Sequence, residues 1–113
     1  MEIQIEARGN VNVVRIVGNL DGNTSPQAQE KLLPLAATKS CLALDLSKCN
    51  YVSSAGLRVL MMLAKQFAAQ GSRLALAGVC EEVKDVMDMA GFINFFSLYD
   101  SVEKIIESQK KEP

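Results

Sequence analysis

The sequence predicts an α/β fold in a single domain: a mixed β-sheet of about five strands with about four α-helices, in the order β-β-α-β-α-β-α-β-α. Three observations predict it. The residues after Met1 alternate strictly between polar and apolar, the signature of a strand with one face in water. Two almost wholly apolar stretches, CLALDLS and RLALAGV, flank a long segment of helical periodicity, and strand, helix, strand at that spacing is a βαβ unit with parallel strands. The other helical segments carry start and stop signals at their ends. With 113 residues, 49% hydrophobic and 22% charged, the chain is long enough for one packed core and too short for two ordinary domains.

In EIQIEAR, Ile3, Ile5 and Ala7 fall on one face and Glu2, Gln4, Glu6 and Arg8 on the other. Gly9 and Asn10 supply a tight turn into VNVVRIVG, so the opening is a β-hairpin. TSPQ starts the first helix: Thr24 caps with Gln27 three residues on, and Pro26 sits in the first turn, where its missing N–H costs nothing. Ala28, Leu32 and Leu35 follow at helical spacing, and Pro34 kinks or ends the helix. CLALDLS places Leu42, Leu44 and Leu46 on one face and Ala43, Asp45 and Ser47 on the other, with the apolar content of a strand covered on both sides. Asp45 is therefore a carboxylate in or near a core, and it needs a hydrogen-bonding partner.

A helix from about Ser54 to Ala69 is followed by Gly71, a natural C-terminal cap, and then by RLALAGV as a further central strand. EEVKDVMDMAG sets Val83, Val86, Met87 and Ala90 at i, i+3, i+4, i+7, with acids in the first turn and Gly91 at the end, as a short amphipathic helix does. FFSLY reads as a short last strand. DSVE then offers Asp100 as N-cap and Glu103 at the third position of a helix with Val102, Ile105 and Ile106 inward. The closing QKKEP is polar, so the domain spans residues 1–109 and 110–113 form a tail.

Twelve basic and thirteen acidic residues give a net charge of -1 with no long block of either sign, so nothing attracts a nucleic-acid backbone strongly. No apolar run approaches the roughly 20 residues of a membrane crossing, and the start lacks a basic region followed by an apolar one, which predicts a cytoplasmic protein without membrane insertion. Cys41, Cys49 and Cys80 show no C-x-x-C spacing and the chain has no histidine; buried free thiols are expected, with no metal and no cofactor. The missing histidine also removes Ser-His-Asp and Cys-His hydrolase schemes.

The stretch YVSSAGLRVL puts two hydroxyls and a glycine in front of an apolar helix. At about 100° per residue, that helix is buried around Leu57, Leu60, Ala64 and Phe67 and exposed along Arg58, Lys65 and Ala69, with Met62 in the middle of the exposed stripe. Ser54, Arg58, Met61, Met62 and Lys65 lie along one side, beginning at the N-terminus. A hydroxyl at a helix start sits where free N–H groups and the helix dipole favour an anion, and Arg58 follows one turn on, so a phosphate on Ser54 fits without unfolding anything. The alternative is that Ser53 and Ser54 only cap the helix and Met62 is an ordinary surface hydrophobe.

LALDLSKCNYVSSAGLRVL resembles the signature of the STAS domain of anti-sigma factor antagonists, in which a strand ending in Asp-Leu-Ser leads through a short loop to Asp/Ser-Ser-x-Gly-Leu at a helix start. GNLDGNTSPQ is similar to the family's Gly-x-Leu-Asp turn, and RLALAGVCEEVKDVMDMAGF extends the likeness over nearly the whole chain. The resemblance implies a STAS-like domain that is not an enzyme but a bacterial transcription regulator working by partner switching. In that family the serine of Ser-x-Gly-Leu is phosphorylated by a kinase that is also the anti-sigma factor, and a PP2C-type phosphatase removes the phosphate. Aligned on Gly56 and Leu57, that serine is Ser54. The best-known members carry Asp just before it, where Ser53 stands here, so Ser53 is the second candidate.

The partner-binding surface so implied comprises Asp21, Asn23, Thr24, Ser53, Ser54, Gly56, Arg58, Met62 and Lys65. Unmodified, it holds an anti-sigma factor, which releases its sigma factor. Asp21 and Asp45 either orient Ser54 or bind the partner, or are a turn residue and a satisfied strand-end carboxylate. Two other functions stay open: a non-switching STAS subunit of a membrane-associated lipid-transport complex, and a nucleotide-binding or hydrolysing domain, although no G-x-x-x-x-G-K-[ST] loop is present. A monomer or weak dimer is expected.

Overall fold

The computed structural model describes residues 1–38, 41–89, 91 and 96–110. Strands β1 (Glu2–Arg8), β2 (Val11–Val17), β3 (Cys41–Asp45), β4 (Arg73–Ala77) and β5 (Ser97–Tyr99) form one sheet in sequence order. The hairpin pair β1 and β2 is antiparallel, and every later pair is parallel. Helices α1 (Ser25–Leu32), α2 (Ser54–Ala69), α3 (Glu81–Met89) and α4 (Val102–Lys110) connect and follow the strands, so the order of elements is the predicted one.

Strand alternation divides the core in two. Val14, Ile16, Leu42, Leu44, Leu74 and Leu76 face α1, α2 and α3, together with Ala28, Leu32, Leu57, Leu60, Leu63, Phe67, Val83 and Met87. The opposite face carries Val11, Val13, Cys41, Ala43, Ala75 and Ala77, mostly smaller side chains, and α4 covers it with Val102 and Ile105. Each of the fully buried Leu60, Leu63 and Phe67 contributes about 1.5–3 kcal/mol by leaving water, which is what holds α2 to the sheet. Burial of β3 on both faces is as expected.

Helix ends follow local chemistry, with two corrections. Thr24 precedes α1 but its hydroxyl makes no capping bond; it accepts from Asp21 N–H at 2.9 Å and donates to the Asn19 carbonyl at 2.9 Å. With its hydroxyl turned back onto the loop in this way, Thr24 leaves Gln27 N–H without a side-chain acceptor, and the Thr24–Gln27 capping box does not form. At α4 the cap is Ser101, whose hydroxyl accepts from Lys104 N–H at 3.3 Å, and not Asp100. α1 stops at Leu32 and continues as a 3₁₀ helix (Leu33–Thr38) around Pro34, whose ring cannot fit an α-helix interior. Gly71, at φ +77, ends α2 in the left-handed conformation, and the next residue, buried Ser72, donates to the Ala36 carbonyl at 2.6 Å, tying β4 to the 3₁₀ helix.

Burial differs from the helical-wheel reading at several places. Leu63 is buried while Ala64 is only half-buried, and Met62 is half-buried rather than central to an exposed stripe. Val86 is 41% exposed although periodicity put it inward with Val83 and Met87; Ala90 lies outside the described residues. Of the cysteines, Cys41 and Cys49 are buried and Cys80 is half-buried, and none of the three forms a disulfide among the described residues. β1 is largely exposed on both faces, because among the described residues no helix reaches past β2 to cover Ile5 and Ala7.

Candidate functional site

The site forms where the loop after β2 meets the loop before α2. Gly18 N–H donates to the Lys48 carbonyl at 3.1 Å, Leu20 N–H to the Tyr51 carbonyl at 2.9 Å, and Ser53 N–H to the Leu20 carbonyl at 2.9 Å. Leu20 and Val52 thus make a short parallel bridge beyond the sheet proper. Gly56 is buried against it: a Cβ there would lie 2.4 Å from the Leu20 carbonyl oxygen. Its φ is helical, so the position is glycine for space and not for conformation. Gly22 approaches Ala55, with 3.9 Å between a Cβ built on the glycine and the alanine's own. The turn at Asp21–Thr24 therefore stands beside the first turn of α2.

The two serines divide the work. Ser53 is the N-cap, extended at φ -78 and ψ 173, and its hydroxyl accepts from Gly56 N–H at 3.2 Å. Ser54 is the first helical residue, exposed, and among the described residues its hydroxyl has no hydrogen-bond partner. Arg58, one turn on, is exposed and forms no ion pair among the described residues.

Asp21 accepts from Asn23 N–H at 2.9 Å and from Thr24 N–H at 3.1 Å, so its carboxylate builds the turn. Asp45 accepts from Ser47 N–H at 3.0 Å and lies 3.4 Å from the Arg15 guanidinium. It shares the α4 side of the sheet with Ala43, away from α2, and so does not orient Ser54. Its need for a partner is met by Ser47 N–H and Arg15.

Beside Ser54 opens a hollow of about 470 Å³, lined by Tyr51, Val52, Ser53, Ser54, Leu57, Arg58, Met61 and Val86. Part of its lining is apolar and exposed: Tyr51 is 54% exposed and Val86 41%. Sequence periodicity missed Tyr51 and Val86, the first because it stands in a loop, the second because it shares the stripe of buried Val83. Met61 lines the hollow, whereas Met62 and Lys65 do not. The structure brings together Asp21, Asn23, Thr24, Ser53, Ser54, Gly56 and Arg58 around the start of α2, with Lys65 exposed further along the helix. Behind the site, burial pushes the Cys49 thiol above its ordinary pKa, keeping it a neutral donor to the Tyr51 carbonyl at 3.5 Å.

A parallel sheet extended by an N-terminal hairpin, with a serine presented at a helix start beside an acidic turn, is a defined class of small α/β domain. The STAS domain family model matches residues 2–105. The anti-sigma-B factor antagonist of Bacillus subtilis is 32% identical over 93 residues, 80% of this chain and 85% of that protein. BtrV of Bordetella bronchiseptica, also named an anti-sigma factor antagonist, is 37% identical over 62 residues, which span 55% of this chain and about half, 53%, of that protein. The crystal structure of an anti-sigma factor antagonist from Mycobacterium paratuberculosis superposes with a TM-score of 0.85 at 19% identity, covering 97% of this chain and 94% of that one. The chain belongs to the STAS-domain family of anti-sigma factor antagonists.

Proposed function

We propose that this chain is a phosphorylation-switched binding protein that holds an anti-sigma factor, itself a serine kinase, while Ser54 is unmodified, and so frees a sigma factor. A PP2C-type phosphatase restores the binding form. It acts by binding and not by catalysis. The observation that carries this reading is the split between Ser53, whose hydroxyl is committed to Gly56 N–H, and Ser54, whose hydroxyl is exposed and uncommitted among the described residues. A kinase needs an accessible hydroxyl, and of the two only Ser54 can be modified without losing the cap.

Docking would use the turn at Asp21–Thr24, the start of α2 and the apolar hollow, where Tyr51, Met61 and Val86 supply area and Arg58 supplies charge. Phosphorylation adds roughly -1.5 to -2 charges and three acceptor oxygens at the middle of that surface. The helix N-terminus and Arg58 accommodate the dianion within the domain, while a partner seated on it must desolvate it. A penalty of about 2 kcal/mol weakens binding about thirtyfold.

The test is kinase-dependent phosphate incorporation with Ser54→Ala and Ser53→Ala, together with calorimetric binding of the unphosphorylated chain and Ser54→Asp to the anti-sigma factor. Incorporation should vanish in Ser54→Ala and persist in Ser53→Ala, and Ser54→Asp should bind at least about tenfold more weakly. Full incorporation in Ser54→Ala, located at Ser53, refutes the assignment.

A further inference from the structure

β1 closes one side of the sheet and departs from the rest of the molecule: six of its seven residues are exposed and only Ile3 is half-buried. Edge strands of monomeric proteins are commonly blunted by shortness, a bulge, proline or charged side chains, lysine above all, because their outer N–H and C=O groups invite another strand; the charges of β1, Glu2, Glu6 and Arg8, are of both signs. β5, the opposite edge, has three residues. β1 has seven, contains neither proline nor lysine, and runs in unbroken register with β2 from Glu2 opposite Val17 to Arg8 opposite Val11. Ile5 at its centre is 50% exposed. No strand among the described residues pairs with its outer edge.

We propose that this edge pairs antiparallel with β1 of a second copy, joining two sheets across a two-fold axis centred on Ile5. Charge selects both occupant and register. In a two-fold antiparallel pair, opposed residues share a face, and residue i meets j while j meets i. Centred on Ile5, the arrangement sets Glu2 against Arg8 of the second copy, Gln4 against Glu6, Ile3 against Ala7 and Ile5 against itself. All seven residues are used and no like charges are directly opposed. Centring on Gln4 sets Glu2 against Glu6, centring on Glu6 sets it against itself, and parallel pairing in register opposes like with like throughout. Arg8 lies 3.8 Å from Glu103, but both side chains are exposed at 40% and 71%, and a pair so solvated is readily exchanged for the intermolecular one.

Sedimentation velocity of the full chain from about 5 µM to about 1 mM should show a concentration-dependent monomer–dimer equilibrium. Glu2→Arg alone, and Arg8→Glu alone, should each raise the dimer dissociation constant by about tenfold or more, and the double exchange should restore it to within about threefold. Ile5→Lys should be monomeric throughout. Unchanged thermal unfolding measured on dilute monomer shows that each exposed substitution leaves the domain folded. A parent chain that stays monomeric at about 1 mM overturns the proposal, as does a dimer indifferent to the exchanges or one the double exchange fails to restore. Binding of a foreign strand to β1 by an otherwise monomeric chain overturns it too, by assigning the edge a different occupant.

Discussion

Gly56→Ala sets two effects of opposite sign against each other. In an exposed helix interior, alanine is favoured over glycine by about 0.8–1.0 kcal/mol. Position 56 lies in the first turn of α2, where a Cβ would sit 2.4 Å from the Leu20 oxygen and 3.0 Å from both its carbonyl carbon and Cγ. Ordinary contact requires about 3.4 Å or more, so backbone must move by about 1 Å. The obstructing atom belongs to the bridge that holds the two loops, since the Leu20 carbonyl accepts from Ser53 N–H. Overpacking of this kind costs typically 1–3 kcal/mol, and here it also strains a hydrogen bond worth about 1 kcal/mol. The clash should win, leaving a net loss of about 1–3 kcal/mol. At about 2.1 cal/mol/K per residue over 113 residues, each kcal/mol lowers Tm by about 4 °C. Urea unfolding with calorimetric Tm measures both. A variant as stable as the parent, or more so, refutes the claim that α2 is docked through this contact.

Three further outcomes follow from the same geometry. Ser53→Ala removes the cap of α2 and should cost about 1 kcal/mol in urea unfolding, whereas Ser54→Ala should change stability by less than about 0.5 kcal/mol. Ser72→Ala leaves the buried Ala36 carbonyl without its 2.6 Å donor and should cost about 1–3 kcal/mol by the same assay. Asp21→Ala frees the N–H groups of Asn23 and Thr24; amide exchange at both should accelerate while that at Val14 and Leu44 stays unchanged.

Strand alternation, cap residues and glycine punctuation made the element order legible, and α2 runs over the predicted Ser54–Ala69 because its stop signal, Gly71, is local chemistry. Caps chosen between neighbouring candidates were less legible. Thr24 turns its hydroxyl back to the Asp21 N–H and the Asn19 carbonyl, and Ser101 caps α4 where Asp100 was expected, since which oxygen faces which N–H depends on the path of the loop. Tertiary cover was only partly legible: the two-sided burial of β3 and the buried Leu57, Leu60 and Phe67 of α2 were expected, but the wheel treats each helix as half wet, whereas α2 also buries Leu63 and α3 leaves Val86 exposed. The serine pair and Arg58 were visible as a constellation, but the hollow beside them is made by Tyr51 and Val86 from separate segments, a juxtaposition that no period in the chain encodes.

The cap at Ser53 has a kinetic corollary. Because the first turn of α2 is fastened by the preceding residue, a group attached at position 54 and later removed neither breaks nor remakes any bond of the helix. Under the proposed switch, such a cycle would leave no hysteresis in the polypeptide, and its tempo would be that of the enzymes acting on the hydroxyl, with no conformational lag added by the domain that carries it.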